Sequence, residues 1–585
     1  MCGIAGIAMA SGAWPDAAKL NTMLAALAHR GPDGGGEAIE GSVALGHTRL
    51  AIIDLATGDQ PFFAHDAALI ANGEIYNYPA LRAALPGTNF VSHSDCEPPL
   101  HLWAADHGGF TGQLRGMYAI AIHDRAAQTL TLARDPFGIK PLYTASFDGG
   151  LAFASEPHAL LAAGFGTRAV APKARAALLN MQFCTGRQTI FPGIERLLPG
   201  ETALVENGRI TTRAHRPALP SGAAEQIDEA AALKRLDAAL MDSVEHHQRS
   251  DVPYGMFLSG GIDSASVLTC MARLSAHPLA FTAGFDVKGA ADERALAAGL
   301  AASVGARHEA ITITRAQTFR HLPEIVACMD DPAADYAIIP TWFLARRARQ
   351  DVKVVLSGEG GDEIFAGYGR YRKALRPRLL GGRAMRARGA FAGLGVLRDE
   401  AGWRDGWGEA EAAAAAAYPD RLRAAQAADI AQWLPHDLLI KLDRCLMAHG
   451  VEGRTPLLDQ AITAAGFSLP EALKLHRGLG KYLLRQWLAQ ALPAARPMAP
   501  KQGFTVPVRA WIDAEGAALG TLVAAQPGVA EIAPPDRVRA LFAAGNQAAA
   551  SWALLFYALW HSVHILGVPA DGDTAAVLAS AARAG

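Results

Sequence analysis

The chain has 585 residues, which is too long for one hydrophobic core, so we expect roughly two or three domains. Hydrophobic residues make up 51% and charged residues 19%, which excludes a disordered or coiled-coil protein. The formal net charge of -2 excludes a field strong enough to gather nucleic acid or anionic membrane.

The cysteines and the chain termini favour a cytoplasmic protein. The 6 cysteines are far apart and form no CxxC pair, which favours reduced thiols over disulfides or a zinc site. No basic and apolar signal segment follows Met1. The aromatic and aliphatic run at residues 552–560 is shorter than the ~20 residues of a membrane span, so we interpret it as a buried helix. We expect small-molecule substrates as partners, no nucleic acid and no membrane, and the sequence leaves a homodimer open.

Cys2 directly follows Met1 and has a small side chain, which permits removal of the methionine. Cysteine would then carry both a thiol and a free α-amine with an ordinary pKa of about 8. That amine can accept the thiol proton, as in N-terminal nucleophiles. The alternative is a buried cysteine that happens to follow methionine.

The first ~210 residues alternate short strands with Gly, Pro and Asp turns, a pattern typical of an all-β or α+β domain. The predicted strands include residues 42–45, 68–71, 118–123 and 129–133. A Pro, Ser and Gly stretch at 216–222 is interpreted as a linker.

Beyond the linker, strands alternate with helices, which predicts a parallel sheet. The predicted strands are residues 252–258, 279–285 and 352–356, and the predicted helices are 264–274 and 292–304. After residue 376 the pattern is almost wholly helical, and the arginine-rich residues 376–388 are predicted to form solvated surface.

Polar residues at turns of the N-terminal half suit amide hydrolysis by a thiol. The Asn72 side-chain NH2 and the Gly73 backbone N–H can donate to an oxyanion. Arg49 can bind the α-carboxylate of glutamine, and Glu74 or Asp95 can bind its α-ammonium group. Taken singly, Asn72-Gly73 is also typical of a hairpin turn, Arg49 of a surface salt bridge and Asp95 of a helix cap.

Two glycine-rich turns follow predicted strands of the second half. Residues 259–264 read Ser-Gly-Gly-Ile-Asp-Ser and lead into a helix, where backbone N–H groups can bind phosphate and Asp263 can bind Mg²⁺. Residues 357–368 form the second turn, and we expect Glu359 in it to be the base that deprotonates attacking ammonia. The alternative for Asp362 and Glu363 is capping of the next helix.

The N-terminal half resembles glutamine amidotransferases of the N-terminal nucleophile type. The resemblance rests on residues 1–7, His-Arg-Gly-Pro-Asp at 29–33, Asn-Gly-Glu-Ile-Tyr-Asn at 72–77 and residues 134–143. It implies an αββα sandwich with Cys2 as nucleophile and Asn72 and Gly73 as oxyanion hole. The glutamine-binding residues it implies are Arg49, Leu50, Ala51, Ile52, Ile53, Asn72, Gly73, Glu74 and Asp95.

The second half resembles the synthetase part of glutamine-dependent asparagine synthetases, whose Ser-Gly-Gly-x-Asp-Ser loop is similar to that of ATP pyrophosphatases. Further matches are residues 443–444, 450–459, 480–485 and 501–504, and the resemblance extends to about residue 565. The ATP-binding residues it implies are Leu258, Ser259, Gly260, Gly261, Asp263, Ser264, Ala283, Ser357 and Gly358. Lys481 is expected to neutralise charge on the adenylate and pyrophosphate, and Arg454 to orient substrate or loop. The alternative for either residue is a structural ion pair. One position differs from the family pattern: His93 precedes Ser94-Asp95 where relatives often have a small residue such as glycine. The difference is expected to affect glutamine affinity and leaves Asp95 in place.

The resemblance implies an α+β N-terminal αββα sandwich of the Ntn hydrolase type, followed by an α/β parallel-sheet domain of the ATP-pyrophosphatase type with a helical C-terminal part. We predict a glutaminase domain at 1–215, a linker at 216–230 and a synthetase domain at 231–570. The expected reaction uses ATP with Mg²⁺, aspartate and glutamine to form asparagine through β-aspartyl-AMP and channelled ammonia. The alternatives are another carboxylate acceptor, namely a dipeptide, peptide or saccharide acid, and a regulatory protein that retains only the fold.

Overall fold

The computed structural model describes residues 2–274, 277–287, 292–376, 379, 382–499 and 505–584. The motif at residues 501–504 therefore lies outside the described residues.

The N-terminal part contains two stacked antiparallel sheets. One has the strand order β10-β8-β9-β1-β3-β2 and the other β12-β11-β7-β6-β5-β4. The strands are β1 Gly3–Met9, β2 Gly34–Glu40, β3 Val43–Arg49, β4 Phe62–Ala64, β5 Ala67–Ile75, β6 Gly116–Asp124, β7 Thr129–Arg134, β8 Tyr143–Phe147, β9 Gly150–Ala154, β10 Ile194–Arg196, β11 Glu201–Glu206 and β12 Arg209–His215.

Both faces of strand β1 are buried, because it lies in the middle of its sheet and in an inner layer. Ile4 points into the core between the sheets with Ile70 of β5, whereas Ile7 packs outward against helix residue Leu20. Helices Ala17–Ala26, Pro157–Ala162 and Pro172–Met181 cover this sheet, and helices Tyr78–Ala84, Pro98–Ala105 and Phe110–Gln113 cover the other. These layers confirm the αββα sandwich.

The second part is built on a parallel sheet with the order β15-β14-β13-β16-β17. Its strands are β13 Tyr254–Phe257, β14 Leu279–Phe285, β15 Arg307–Ile313, β16 Val354–Leu356 and β17 Glu452–Arg454. Strand β13 starts later than predicted, since the Ser250 hydroxyl accepts from the Val252 N–H and Pro253 has no N–H to donate. The region after residue 376 was predicted to be almost wholly helical, but it also contains strand β17.

Helices surround this sheet and form the C-terminal part. Their bounds are Glu229–His247, Ile262–Leu274, Arg294–Ser303, Arg315–Ala327, Ile338–Ala348, Gly361–Ile364, Gly369–Leu375, Asp405–Ala417, Arg421–Ala428, the π-helix Asp429–Leu438, Leu439–Met447, Gln460–Gly466, Glu471–Lys474, Tyr482–Ala491, the 3₁₀ turn Pro493–Ala495, Val508–Asp513, Gly516–Ala524, Pro527–Ala530, Pro535–Ala544, Ala548–His564 and Thr574–Ala584. Helix Ala548–His564 is buried as predicted, and among the described residues no helix has the length and apolar character to cross a bilayer.

The described residues of the arginine-rich segment 376–388 depart in part from the prediction of a solvated surface, and residues 377, 378, 380 and 381 lie outside the described residues. Arg383 and Arg388 are exposed, but the guanidinium carbon of Arg386 lies 3.6 Å from the ring centroid of Trp433. A cation over an aromatic face retains favourable electrostatics when it leaves water, so this arginine can turn inward.

Candidate active sites

Cys2 precedes strand β1 and is buried between the two parts of the chain. Its backbone N–H donates to Asn72 Oδ1 at 3.0 Å, and its carbonyl accepts from Arg30 Nε at 3.1 Å. Burial raises the pKa of the Cys2 thiol, and the nearby carboxylates of Glu452 and Asp95 raise it further. The thiol therefore needs a base before it can act as a nucleophile at neutral pH.

Asn72 and Gly73 lie inside strand β5, which excludes the hairpin-turn alternative. Asn72 is fully buried, and its Nδ2 has no hydrogen-bond partner in the part of the chain that the structure describes. Asp95 accepts from the Ile75 N–H at 2.7 Å rather than capping a helix. An unpaired amide N–H2 near a cysteine can donate to a developing oxyanion.

Arg49 ends strand β3 and is buried, although its partner Asp59 is exposed. Its Nη1 donates to Asp59 Oδ1 at 2.8 Å, and its Nη2 donates to the Asp54 carbonyl. Residues 50–53 follow Arg49, and a hydrogen bond holds their backbone: the Ala51 N–H donates to Asp33 Oδ2 at 2.9 Å. A fork of N–H groups held by one exposed carboxylate can exchange that partner for a substrate carboxylate.

Glu74 is buried and lies beside Arg454 from strand β17. Arg454 Nη2 is 3.0 Å from Glu74 Oε2, and Arg454 Nε donates to Glu452 Oε1 at 2.6 Å. Burial raises the pKa of Glu74 well above its usual range, and the Arg454 charge opposes that rise only in part. Arg454 thus forms the predicted ion pair, and it does so with a residue of the glutaminase part.

The two glycine-rich turns face each other at the carboxyl ends of β13 and β16. The Ser259 and Ser264 hydroxyls are 3.0 Å apart, and the Ser259 hydroxyl accepts from the Gly261 N–H at 3.1 Å. A Cβ on Gly358 would lie 2.8 Å from the Ser264 N and 2.9 Å from Asp263 Cβ, so only glycine permits this approach.

A cavity of about 720 Å³ opens between these turns. Every predicted ATP-binding residue lines it, together with Glu359 and Lys481; those residues are Leu258, Ser259, Gly260, Gly261, Asp263, Ser264, Ala283, Ser357 and Gly358. Its position at the carboxyl ends of parallel strands is the usual place for a ligand in such sheets.

Lys481 has a left-handed backbone with φ 59° and directs its amine at two carboxylates. Its Nζ contacts Asp263 and lies 2.7 Å from Asp362 Oδ1. Burial favours the neutral amine, but the two carboxylates outweigh it and raise the pKa of Lys481. Asp362 therefore lies on the cavity wall and pairs with Lys481. It does not cap helix Gly361–Ile364, whose N-cap residue is Gly360 and which has no side-chain cap.

Glu359 lies on the cavity wall beside Lys441. Its Oε1 is 3.6 Å from Lys441 Nζ, which also donates to Asp335 Oδ2 at 3.0 Å. Burial raises the pKa of Glu359, and the Lys441 charge opposes this. A carboxyl with a raised pKa is a stronger proton acceptor once ionised.

Sequence reasoning assigned no role to the ion pairs that join the two parts. Arg30 of the first part donates to Asp443 of the second at 2.8 and 3.0 Å, and Arg444 Nη1 of the second part lies 3.6 Å from Glu156 Oε1 of the first. Arg30 lies in the matched 29–33 motif and Asp443 in the matched 443–444 motif. The opposite charges of these two motifs were the sequence signal that could have predicted an ion pair between the two parts.

The geometry defines an amidotransferase with two sites, a buried N-terminal thiol beside oxyanion donors and a nucleotide-sized cavity at a parallel sheet. Residues 1–216 match the family model described as "Glutamine amidotransferase domain", and residues 235–562 match that described as "Asparagine synthase". The chain belongs to the asparagine synthase family, whose glutamine-hydrolysing members are ATP-dependent ligases.

Curated relatives cover nearly the whole chain. A "Putative asparagine synthetase [glutamine-hydrolyzing]" of Mycobacterium tuberculosis is 34% identical over 97% of this chain and 97% of its own length. "Asparagine synthetase [glutamine-hydrolyzing] 1" of Bacillus subtilis is 31% identical over 94% and 93%. "Asparagine synthetase B [glutamine-hydrolyzing]" of Escherichia coli is 28% identical over 83% and 78%.

Gly367→Ala is expected to abolish ATP-dependent synthesis and leave glutamine hydrolysis measurable. A Cβ at this position would overlap both Asp362 Oδ1 and Lys481 Cε, so the Lys481 amine must leave its place on the cavity wall. Pyrophosphate release is the measurement. Gly369→Ala is the matched control, because its Cβ would come no closer than 3.6 Å to Arg372. Wild-type pyrophosphate release in Gly367→Ala would show that the Lys481 position is not needed.

Proposed function

We propose that the protein makes asparagine from aspartate, with ammonia from glutamine and with ATP converted to AMP and diphosphate. The observation that carries the proposal is Arg454, which contacts the glutamine-type site through Glu74 and the nucleotide-type loop through its carbonyl, where the Ser357 N–H donates at 2.8 Å. Two chemical sites held by one residue suit a reaction in which the product of one site is consumed at the other.

Glutamine hydrolysis begins at Cys2 after removal of Met1. The freed α-amine takes the thiol proton, and the thiolate attacks the side-chain amide carbon of glutamine. Asn72 Nδ2 and the Gly73 N–H stabilise the oxyanion, and the C–N bond then breaks with a proton delivered to the leaving ammonia. Water hydrolyses the thioester to glutamate. Arg49 binds the α-carboxylate of the substrate, and Glu74 or Asp95 binds its α-ammonium group.

Ammonia then passes through the protein interior to the cavity. The interface between the two parts is buried and polar, with Arg30 on Asp443 and Arg444 beside Glu156. Enclosure keeps ammonia from protonation in bulk water, where it would lose its nucleophilic electron pair.

Adenylation takes place in the cavity between the glycine-rich turns. A carboxylate oxygen of the acceptor attacks the α-phosphorus of ATP, and the bond to the β-phosphate oxygen breaks, which releases diphosphate. The helix that starts at Ile262 presents its N-terminus to the phosphates, and Lys481 offers a positive charge to the oxygens that become negative.

Asp263 and Asp362 suit a magnesium ion bound together with the phosphates. Both carboxylates converge on the Lys481 amine at the cavity wall, and Mg²⁺ typically uses one or two protein carboxylates plus phosphate oxygens. When bound, the ion would neutralise phosphate charge. Within the described residues no group of three or more His, Cys, Asp or Glu side chains is placed to hold a metal ion.

Amide formation completes the reaction at Glu359. Ammonia attacks the acyl carbon of the adenylate, the Glu359 carboxylate takes a proton from the nitrogen, and the C–O bond to AMP breaks. AMP therefore keeps one oxygen of the acceptor.

Cys2→Ala is expected to lose glutamine-dependent synthesis and retain synthesis from ammonium salts, because the thiol serves only glutamine cleavage. Asparagine formed from each nitrogen source is measured, with Cys328→Ala as a cysteine control away from the site. 6-Diazo-5-oxo-norleucine should label Cys2 alone. Loss of both activities in a folded Cys2→Ala enzyme would contradict the assignment of two separate sites.

Aspartate labelled with ¹⁸O in its β-carboxylate is expected to transfer label to AMP, since adenylation joins that oxygen to phosphorus. Mass spectrometry of the nucleotide product measures the transfer, and other carboxylic acids run in parallel test the alternative acceptors. ADP with orthophosphate would refute the acyl-adenylate. Label in AMP from another acid but not from aspartate would retain the mechanism and change the acceptor.

Glu359→Gln is expected to slow amide formation by about 10² to 10⁴-fold, the usual loss for a positioned base. At a fixed concentration of unprotonated ammonia, the wild-type rate should fall as pH drops through the raised pKa of Glu359, above the ordinary 4.5, because the base becomes protonated. This acid limb should be absent from Glu359→Gln. An unchanged rate in the variant would place the base elsewhere.

A further inference from the structure

Arg386 is partly exposed, and its guanidinium packs against the rings of Trp433, Phe183 and Trp407. Its Nε and Nη2 are buried and have no hydrogen-bond partner among the described residues. Its backbone is left-handed with φ 48°, a conformation that costs a non-glycine residue free energy and is often associated with functional sites. The Arg404 side chain secures this turn by donating to the Arg386 carbonyl at 3.2 Å.

The neighbouring carboxylates of Asp429 and Asp437 compensate the Arg386 charge only in part. The carboxylate of Asp429 is engaged by Arg370, which donates to it through two nitrogens at 3.0 and 2.7 Å. The guanidinium carbon of Arg370 also lies 4.0 Å from the Trp433 ring centroid, so two positive groups share this aromatic residue. Burial, and then repulsion from Arg370, lowers the pKa of Arg386 to about 10. An anion bound here would relieve both effects.

Asp437 links Arg386 to the cavity. Asp437 Oδ1 is buried without a hydrogen-bond partner in the described part of the chain. Asp437 is four residues from Trp433 and four residues from Lys441 along the consecutive helices Asp429–Leu438 and Leu439–Met447, so the three side chains follow one another along the helix surface. Burial and the Asp335 charge raise the pKa of Asp437, while the charges of Lys441 and Arg386 lower it. Lys441 and Glu359 are cavity-wall residues.

The π-helix Asp429–Leu438 supplies both Trp433 and Asp437. Segments of π-helix are rare and occur frequently at functional sites, since the wider turn reorients side chains. In this protein the π-helix places the Trp433 ring under the Arg386 guanidinium and carries Asp437 four residues further along.

We propose that Arg386 binds the α-carboxylate of the acceptor amino acid and Asp437 its α-ammonium group. A zwitterionic amino acid supplies the two charges that these unpaired groups require, and its side-chain carboxylate then extends toward Glu359 and the nucleotide. This rests on the proposed function and adds its specificity: free α-amino acids are favoured, and saccharide acids or peptides lacking one of the two α-groups are disfavoured.

The test is the KM for aspartate in synthesis from ammonium salts, which does not depend on Cys2. Arg386→Met should raise this KM about 10- to 100-fold, the usual effect of losing a hydrogen bond to a charged group. The KM for ATP and the glutaminase rate should stay unchanged. Arg388→Met is the matched control, because Arg388 is exposed in the same segment.

Asp437→Asn is tested independently, by comparing aspartate binding with inhibition by succinate. Succinate has the carboxylates of aspartate but no ammonium group. The variant should weaken aspartate binding and leave inhibition by succinate unchanged. An equal loss for both compounds would overturn the role of Asp437. An unchanged aspartate KM in Arg386→Met would overturn the role of Arg386.

Folding is followed by thermal unfolding of each variant. If Arg386→Met does not fold, Arg386→Lys decides, since it keeps a cation over Trp433 but loses the forked N–H groups; a wild-type KM would then overturn the inference, and a raised KM supports it. Failure of the proposed function looks different: the wild-type enzyme itself would make no asparagine and would amidate another acid.

Discussion

The guanidinium of Arg454 is fully buried between the glutaminase and synthetase parts, and the relative placement of both sites depends on it. Burying a charge is costly unless its N–H groups are satisfied. Arg454 Nη1 donates to the carbonyls of His247 at 2.9 Å and Arg249 at 2.6 Å, and its Nε donates to Glu452. These partners leave Nη2 for Glu74. A shift of strand β17 would break this set, so the end of strand β5 at Glu74 and the glycine-rich turn at Ser357 are held in fixed positions relative to each other.

The ion pairs around Arg30 extend the same principle. A purely apolar interface between two domains has many nearly equivalent arrangements, whereas buried charges tolerate only those in which each finds its partner. Arg30 contacts the Cys2 carbonyl as well as Asp443, so the alignment of the domains also fixes the backbone at the nucleophile. In the proposed reaction, this alignment is what would couple glutamine cleavage to the use of ammonia.

Much of the fold could be predicted because its signals are local. The strand at Leu279–Phe285 has the predicted bounds, and the turn at 259–264 joins a strand to a helix as its glycines indicated. Strand β17 was missed because it has only 3 residues and two of them are charged; its place at the sheet edge comes from pairing with Val354–Leu356 about a hundred positions earlier. Arg386 was missed for a similar reason, since Trp433 lies far from it in sequence.

Unpaired buried polar atoms connect these observations. Native proteins rarely leave such atoms unsatisfied, and those that remain need a physical reason. Asn72 Nδ2, Glu74 Oε1 and Ser357 Oγ are unsatisfied within the described residues, as are atoms of Arg386 and Asp437. The proposed chemistry would supply each of these atoms with a complement: an oxyanion, an ammonium group, a phosphate or the α-groups of an amino acid. Burial of these atoms without partners lowers the stability of the folded protein. A substrate with matching groups would restore the missing hydrogen bonds, whereas a ligand without those groups would not. In the proposed mechanism, selectivity for the acceptor would follow from the same buried groups whose desolvation is costly in the absence of a ligand.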